Sequence, residues 1–298
     1  MLDSGLKEVY INPRTDFGFK YLFGTPMNKD LLIGFLNALF HGTHTITDLN
    51  YLNSEQLGIH KEAHRAIFDV YCETESGERF IVEMQNVFQK FFKDRSIYYS
   101  TFPICEQAKR GEWNFRFEAV YTVGILDFVF DEDKNSTDYF HHEVKLMDVN
   151  TQKGFYDKLT FIYLELPKFT KTENELETLL EKWVFVLKNL VYLLERPAAL
   201  QERVFTRLFE AASIARFTPK QLWEYEDSVK AYRDIVNAVN TARIKGKEEG
   251  RKVGLEEGRK EGLKEVRKEI ARTMKQMGID LPVIQKATGL SAEEIGEL

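Results

Sequence analysis

The sequence predicts an α/β fold in which helices pack against a mixed β-sheet, with further helices toward the carboxyl end. Three observations predict this fold. Helix-type and strand-type patterns alternate over residues 1–166, only helical patterns occur over 172–239, and residues 240–298 are charged and interrupted by glycine. We therefore expect a sheet-containing core at 1–170, a helical extension packed on it at 171–240, and a helical tail at 241–298.

The core shows two helical patterns and several strand patterns. In chain order they are a helix at 28–40, a strand at 46–53, a hairpin at 65–74 and 78–85, a helix at 90–112, and strands at 116–128, 139–149 and 158–166. Ser76 and Gly77 supply the hairpin turn, since they separate two β-rich runs. Pro103 has no N–H to donate and is expected to disturb the second helix.

The extension and the tail are helical by pattern. Helices are expected at 172–193, where Thr172 and Glu175 have capping-box spacing, at 199–215 and at 219–240. The tail has glycine at every fourth position from 246 to 262, which indicates either close packing of two helices or a solvated linker helix. An apolar seam over 263–277 needs a partner, either the chain itself or a second copy in a homo-oligomer.

Composition excludes several classes of protein. The two cysteines have no CxxC spacing, the amino terminus has no signal-peptide pattern, and the apolar runs are too short to span a bilayer, so we expect a cytoplasmic protein without a membrane span. Taken over the whole chain, the net charge of −6 argues against nucleic acid as a partner, because a dedicated DNA binder is usually basic. However, residues 241–270 carry ten Lys or Arg and seven Asp or Glu, a local charge of +3, so DNA is not excluded.

The hairpin at 68–85 carries the most informative polar residues. Strand alternation places Asp69, Tyr71 and Glu73 on one face and Phe68, Val70 and Cys72 on the other. On the second strand, Ile81, Glu83 and Gln85 share a face. Pairing of the strands can bring Asp69 beside Glu83, and two close carboxylates favour a hard cation such as Mg²⁺ or Mn²⁺. The alternative is the solvated face of a half-exposed sheet, and spacing alone leaves both interpretations open.

Two segments carry a resemblance to a known family. DFGFKYLFGTPMNKDLLIGFLNALF (16–40) and IFDVYCETESGERFIVEMQ (67–85) resemble the Rpn family of recombination-promoting nucleases, which are also described as PD-(D/E)XK nuclease family transposases. The resemblance extends over roughly residues 10–240. It implies the PD-(D/E)XK fold, a mixed sheet flanked by helices, and a metal-dependent DNA endonuclease associated with recombination or mobile elements.

The resemblance also implies roles for individual residues. Asp69 and Glu83 would be metal ligands for Mg²⁺ or Mn²⁺, Asp16 an auxiliary acidic residue at the metal, and Gln85 would stand where the superfamily has a lysine. Because glutamine is neutral, we expect another cation to replace that lysine, and Lys20, one helical turn after Asp16, is a candidate.

Further residues are expected to contact DNA phosphates. Arg95, Tyr99 and Gln107 fall within one arc of the helix at 90–112 and could face the site. An ordinary polar helix face is the alternative.

Other functions remain open at the level of sequence. The fold could persist as a DNA-binding or partner-binding scaffold without catalysis, or the chain could be an assembly protein that acts through its tail. Residues 281–298 resemble the front of a helix-turn-helix motif, but Glu293, Glu294 and Glu297 on its second helix would repel phosphates. We therefore favour a packing or oligomerisation hairpin for this segment over a DNA reader.

Overall fold

The computed structural model describes residues 8–56, 66–108, 114–133 and 139–298. Its helices are α1 (Asp16–Phe23), α2 (Lys29–Leu39), α3 (Phe92–Glu106), α4 (Leu179–Asn189), α5 (Arg203–Ala212), α6 (Pro219–Gln276), α7 (Leu281–Thr288) and α8 (Ala292–Gly296). Its strands are β1 (Leu49–Tyr51), β2 (Glu55–Gln56), β3 (Ala66–Ile67), β4 (Val70–Thr74), β5 (Arg79–Gln85), β6 (Val120–Leu126), β7 (His141–Asp148) and β8 (Lys153–Glu165).

Six of the strands form one mixed sheet in the order β1-β4-β5-β6-β8-β7. β5, β6 and β8 are parallel, whereas β1, β4 and β7 pair antiparallel to their neighbours. β2 and β3 form a separate two-stranded ribbon. The expected mixed sheet flanked by helices is therefore confirmed.

The two faces of the sheet are covered by different helices. One face joins the side chains of Val70, Phe80 and Val82 to the apolar sides of α1, α2, α4 and α5 in the largest core. The opposite face is covered by α3, since Phe102 and Tyr99 pack near Tyr71 and Ile81 while Phe92 packs with Phe161 and Tyr163. A side chain that leaves β5 on this second face therefore points toward α3.

The motif TDFGFKYLFG builds the start of α1. Thr15 is the N-cap, and its hydroxyl accepts a hydrogen bond from the Gly18 N–H at 3.0 Å. The Asn12 carbonyl oxygen lies so close that a Cβ at Gly18 would stand 2.1 Å from it. Only glycine at position 18 lets the chain before α1 approach the helix this closely. This close approach fixes the first turn of α1, which contains Asp16.

Some elements differ from the sequence prediction. Phe68 does not share a face with Val70 and Cys72, because the chain bends at Asp69 between β3 and β4 and Phe68 packs with Tyr71 and Ile81 instead. The capping box of Thr172 starts a short 3₁₀ turn, and a second box formed by Thr178 and Glu181 starts α4. The helix expected at 219–240 continues to Gln276, because no proline interrupts the Lys- and Glu-rich tail.

The chain consists of two compact units, residues 1–236 and residues 237–298. The five glycines of the tail lie within α6, where a Cβ at any of them would meet no described atom within 4 Å. Within the described ranges, no helix has both the length and the apolar composition that a membrane crossing requires.

Candidate active site

The hairpin of β4 and β5 brings Asp69 and Glu83 to the same end of two paired strands. Val70 is opposite Val82 in the register, so Asp69 directly precedes β4 beside the position of Glu83. The Asp69 Oδ2 atom accepts a hydrogen bond from the backbone N–H of Met84 at 2.8 Å. Glu83 is only 7% exposed. Glu83 is therefore buried beneath α3, and the half-buried Asp69 lies beside it.

Burial and mutual repulsion determine the acidity of this pair. Burial, followed by the charge of Asp69, raises the pKa of Glu83 to about 7, although Arg95 acts in the opposite direction. Burial also raises the pKa of Asp69, against the effects of the Met84 N–H and of Lys20. Without a bound cation, the folded protein disfavours the fully ionised pair.

Arg95 of α3 supplies the positive charge that directly contacts Glu83. Its Nη2 donates to Gln85 Oε1 at 2.7 Å and to Glu83 Oε2 at 3.1 Å, and its Nη1 donates to Gln89 Oε1 at 2.6 Å. The Arg95 guanidinium also lies 5.1 Å from the ring centre of Phe92 and 5.4 Å from that of Tyr99. The Arg95 guanidinium therefore joins the side chain of Glu83 to that of Gln85.

Glu83 is incompletely satisfied, in contrast with a second buried glutamate at the end of β8. Glu165 is fully buried, and its carboxylate accepts hydrogen bonds from the Phe130 N–H at 2.7 Å, from His142 at 3.1 Å and from Lys168 at 3.0 Å. In Glu83, Oε1 is buried and has no hydrogen-bond partner among the described residues. Glu165 is thus a structural anchor, whereas Glu83 keeps one oxygen available for a ligand.

The donor set fits a hard divalent cation that retains water. In the described part of the chain, no group of three His, Cys, Asp or Glu side chains is placed to hold a metal ion. Mg²⁺ does not need such a group, because it is commonly held by one or two carboxylates together with waters and substrate phosphates. The free oxygen of Glu83 and the adjacent Asp69 meet that requirement.

Asp16 and Lys20 lie near the pair without joining it. The Lys20 ammonium contacts the Asp16 carboxylate at 2.6 Å on the first turn of α1, and Asp16 remains largely exposed. Both charges affect the pKa of Asp69, in opposite directions. Asp16 is paired with Lys20 on its own helix, and its role as an auxiliary acidic residue at the metal stays a prediction.

Tyr99 and Gln107 of the α3 region are used differently. Tyr99 stacks on Arg95 and packs edge-on against Phe68 at 5.3 Å. Gln107 is not brought to the site: its amide bonds the backbone of Glu118 at 2.7 and 3.3 Å. Twelve residues separate it from Arg95, about 18 Å along a helix axis. Arg95 and Gln107 share one arc of the helix, but they lie far apart along the helix axis.

A polar network beside Gln85 was missed in the sequence. The Asp127 N–H donates to the Gln85 carbonyl at 2.9 Å, Arg14 pairs with Asp127 at 3.1 Å, and the Asn86 side chain donates to the Arg14 carbonyl at 2.6 Å. This network ties the segment before α1 to the ends of β5 and β6. The only sequence signal was the position of Arg14 just before the TDFGFKYLFG motif.

The carboxyl-terminal unit has a small core of its own. Ala271, at the end of α6, packs with Ile284 of α7 and Leu290 and Ile295 around α8, and Gly289 makes the turn with a positive φ of 71°. A family model for the Rpn/YhgA-like nuclease family C-terminal HTH domain matches residues 264–298. This match agrees with the helix-turn-helix resemblance of residues 281–298, and the expected packing or oligomerisation hairpin stays a prediction.

The main domain also matches a family model. The model of the PD-(D/E)XK nuclease family transposase matches residues 13–242, which contain Asp69, Glu83 and Gln85. Searches of curated proteins and of solved structures found no match. The match covers well over half of the chain and agrees with the resemblance carried by the α1 motif and the β4–β5 hairpin. The chain belongs to the PD-(D/E)XK nuclease family transposases.

Proposed function

We propose that the chain is a Mg²⁺- or Mn²⁺-dependent DNA endonuclease that hydrolyses phosphodiester bonds. The observation that carries the proposal is the carboxylate pair of Asp69 and Glu83, in which the buried Glu83 Oε1 has no hydrogen-bond partner among the described residues. A buried acidic pair is unfavourable by itself and becomes favourable when a cation binds between the two groups.

In this proposal, Asp69 and Glu83 hold the metal. A bound divalent ion would make water more acidic and would neutralise charge on the phosphodiester. The Met84 N–H keeps the Asp69 carboxylate oriented toward the site through its 2.8 Å hydrogen bond. Gln85 is neutral, so its amide would orient water or phosphate by hydrogen bonding. Asp16 would be an auxiliary acidic residue at the metal site.

Phosphate contacts are assigned to residues around the pair. Arg95 and Tyr99 border it from α3, and Lys20 borders it from α1, where its charge already influences Asp69. Gln107 is omitted from this set, because both polar atoms of its amide bond the Glu118 backbone. DNA would then pass over the end of the sheet at which β5 finishes.

The biological setting proposed for this activity is recombination or the movement of mobile elements in the cytoplasm, with homo-oligomerisation through the tail as a further proposal. The helix-turn-helix match and the +3 charge of residues 241–270 support DNA binding by the tail.

A chain that ends at residue 240 is expected to bind DNA roughly tenfold more weakly than the full chain, with a shallower dependence on salt. Fluorescence anisotropy with one labelled duplex at several salt concentrations measures both effects. Equal affinity and equal salt dependence for the two chains would show that the tail does not bind DNA. Gel filtration of the same two proteins tests oligomerisation: an unchanged oligomeric state excludes the tail as the assembly device.

The rival function is a non-catalytic scaffold with the same fold, which the neutral Gln85 would suit. The free oxygen of Glu83 favours the enzyme, because a scaffold has no use for an incompletely bonded buried carboxylate.

Cleavage of a covalently closed supercoiled plasmid separates the two functions. The proposal predicts nicked and linear products with Mg²⁺ or Mn²⁺ and none with EDTA. A closed circle has no ends, so cleavage would also identify an endonuclease. Intact plasmid under all metal conditions, together with no metal binding in a calorimetric titration, would support the scaffold instead.

A further inference from the structure

We propose that Arg95 couples metal binding to DNA binding, by pairing with Glu83 in the metal-free protein and with a DNA phosphate once metal occupies Glu83. The inference rests on the proposed nuclease function and deepens it. It assigns to a helix residue the charge that the superfamily places on a lysine next to the metal.

The hydrogen bonds of Arg95 show that its pairing is incomplete. One nitrogen, Nη2, is divided between Gln85 at 2.7 Å and Glu83 at 3.1 Å, while Nη1 donates to Gln89. The Nε of Arg95 is buried and has no hydrogen-bond partner among the described residues. A guanidinium can present two parallel donors to a phosphate, and within the described ranges Arg95 does not use such a pair on any single protein group.

The aromatic neighbours restrict how Arg95 can move. Phe92 and Tyr99, one turn before it and one turn after it on α3, both lie within 5.4 Å of the guanidinium carbon. Gly124 of β6, opposite Glu83 in the register, leaves room for Phe92: a Cβ there would lie 3.3 Å from the Phe92 ring. In the proposal, the guanidinium stays against these two rings when it exchanges Glu83 for a phosphate.

A metal ion and Arg95 compete for the same carboxylate. Both are positively charged, and both would contact Glu83, so binding of one disfavours the other. When metal takes Glu83, Arg95 loses the one carboxylate with which it pairs among the described residues and becomes available to a phosphate. Conversely, a phosphate that draws Arg95 away leaves Glu83 open to metal. The two ligands should therefore bind with positive, reciprocal coupling.

The same geometry gives Gln85 a reason to be neutral. Its Oε1 accepts the shorter of the two hydrogen bonds that Nη2 of Arg95 donates. A lysine at this position would place a second cation against the guanidinium. Lys20 is a poorer replacement for the missing lysine, because Asp16 already pairs with it at 2.6 Å.

The test compares Arg95→Met with the parent chain by two measurements. Calorimetric titration of Mn²⁺ at alkaline pH, without DNA, should give metal affinity about tenfold tighter in Arg95→Met. Anisotropy with a short duplex, measured with Ca²⁺ and with EDTA, should show that the metal-induced gain in DNA affinity falls at least about fivefold. Arg95→Lys, which keeps the charge without the fork, should lie between the two. Lys93→Met, on the same helix but paired with Glu132, is the matched control and should resemble the parent.

Opposite changes in the two measurements are the signature of coupling. A variant that merely damages the site would weaken both metal binding and DNA binding. Unchanged or weaker metal binding in Arg95→Met, or an undiminished metal-induced gain in DNA affinity, would overturn the proposal. If the parent chain itself binds no metal, the nuclease proposal fails, which is a different result from failure of the coupling.

Discussion

Substitution Glu83→Gln is expected to reduce metal-dependent cleavage at least about 100-fold, because outer-shell changes alone cost up to that amount at metal sites and this change removes a proposed ligand. The same substitution is expected to stabilise the metal-free protein at neutral pH. Glutamine keeps the shape of the side chain but removes its negative charge. Glu83 is only 7% exposed, and the charge of Asp69 repels its own.

The sign of the stability change follows from the pKa of Glu83. The pKa is raised from 4.5 to about 7 in the folded chain, so its stabilising contribution is fully present below about pH 4.5 and is lost as pH rises through about 7. That shift corresponds to about 3 kcal/mol in the free energy of unfolding. Glu83→Gln should thus be more stable than the parent by up to about 3 kcal/mol near pH 8 and nearly equal to it near pH 4.5.

Urea unfolding in EDTA at the two pH values measures this difference. Glu226→Gln, which changes an exposed glutamate of α6, is the matched control and should leave stability within about 0.5 kcal/mol of the parent at both. A Glu83→Gln protein that is less stable near pH 8, or that cleaves plasmid like the parent, would contradict the assignment of Glu83.

The opposite result is expected for the other buried glutamate. Glu165→Ala should destabilise the protein by about 3–5 kcal/mol, because it leaves Lys168 and the Phe130 N–H without their buried acceptor. Chemical unfolding with fluorescence detection measures the loss.

The control for this prediction is Glu143→Ala on β7. Glu143 pairs with Lys145 at 2.6 Å but is largely exposed, so its removal should cost no more than about 1 kcal/mol. A loss below about 1 kcal/mol for Glu165→Ala would show that its three hydrogen bonds do not anchor the end of β8.

Much of the hairpin could be predicted from sequence because strand alternation and turn chemistry are local. The alternation of β5, the Ser76-Gly77 turn and the pairing of Asp69 near Glu83 all depend on residues close along the chain. Phe68 was placed on the wrong face, since a bend at Asp69 interrupts the alternation and leaves no local signal.

The rest of the site depends on contacts between distant elements. Arg95 could be placed on a helix face, but its bonds to Glu83 and Gln85 require the packing of α3 on the sheet. Gln107 has a similar angular position around the helix axis, but it lies farther along the axis, where its side chain bonds the Glu118 backbone. The network of Arg14 and Asp127 spans 113 residues and had no periodic signal.

The most direct test of the nuclease site compares the parent chain with Asp69→Ala on supercoiled plasmid in Mg²⁺ or Mn²⁺. Asp227→Ala, which removes an exposed carboxylate of α6, controls for nuclease contamination and for loss of charge. We predict that the parent and Asp227→Ala nick and linearise the plasmid, and that Asp69→Ala leaves it supercoiled while remaining folded by circular dichroism. Equal cleavage by the parent and Asp69→Ala would contradict the assignment of this carboxylate pair as the active site.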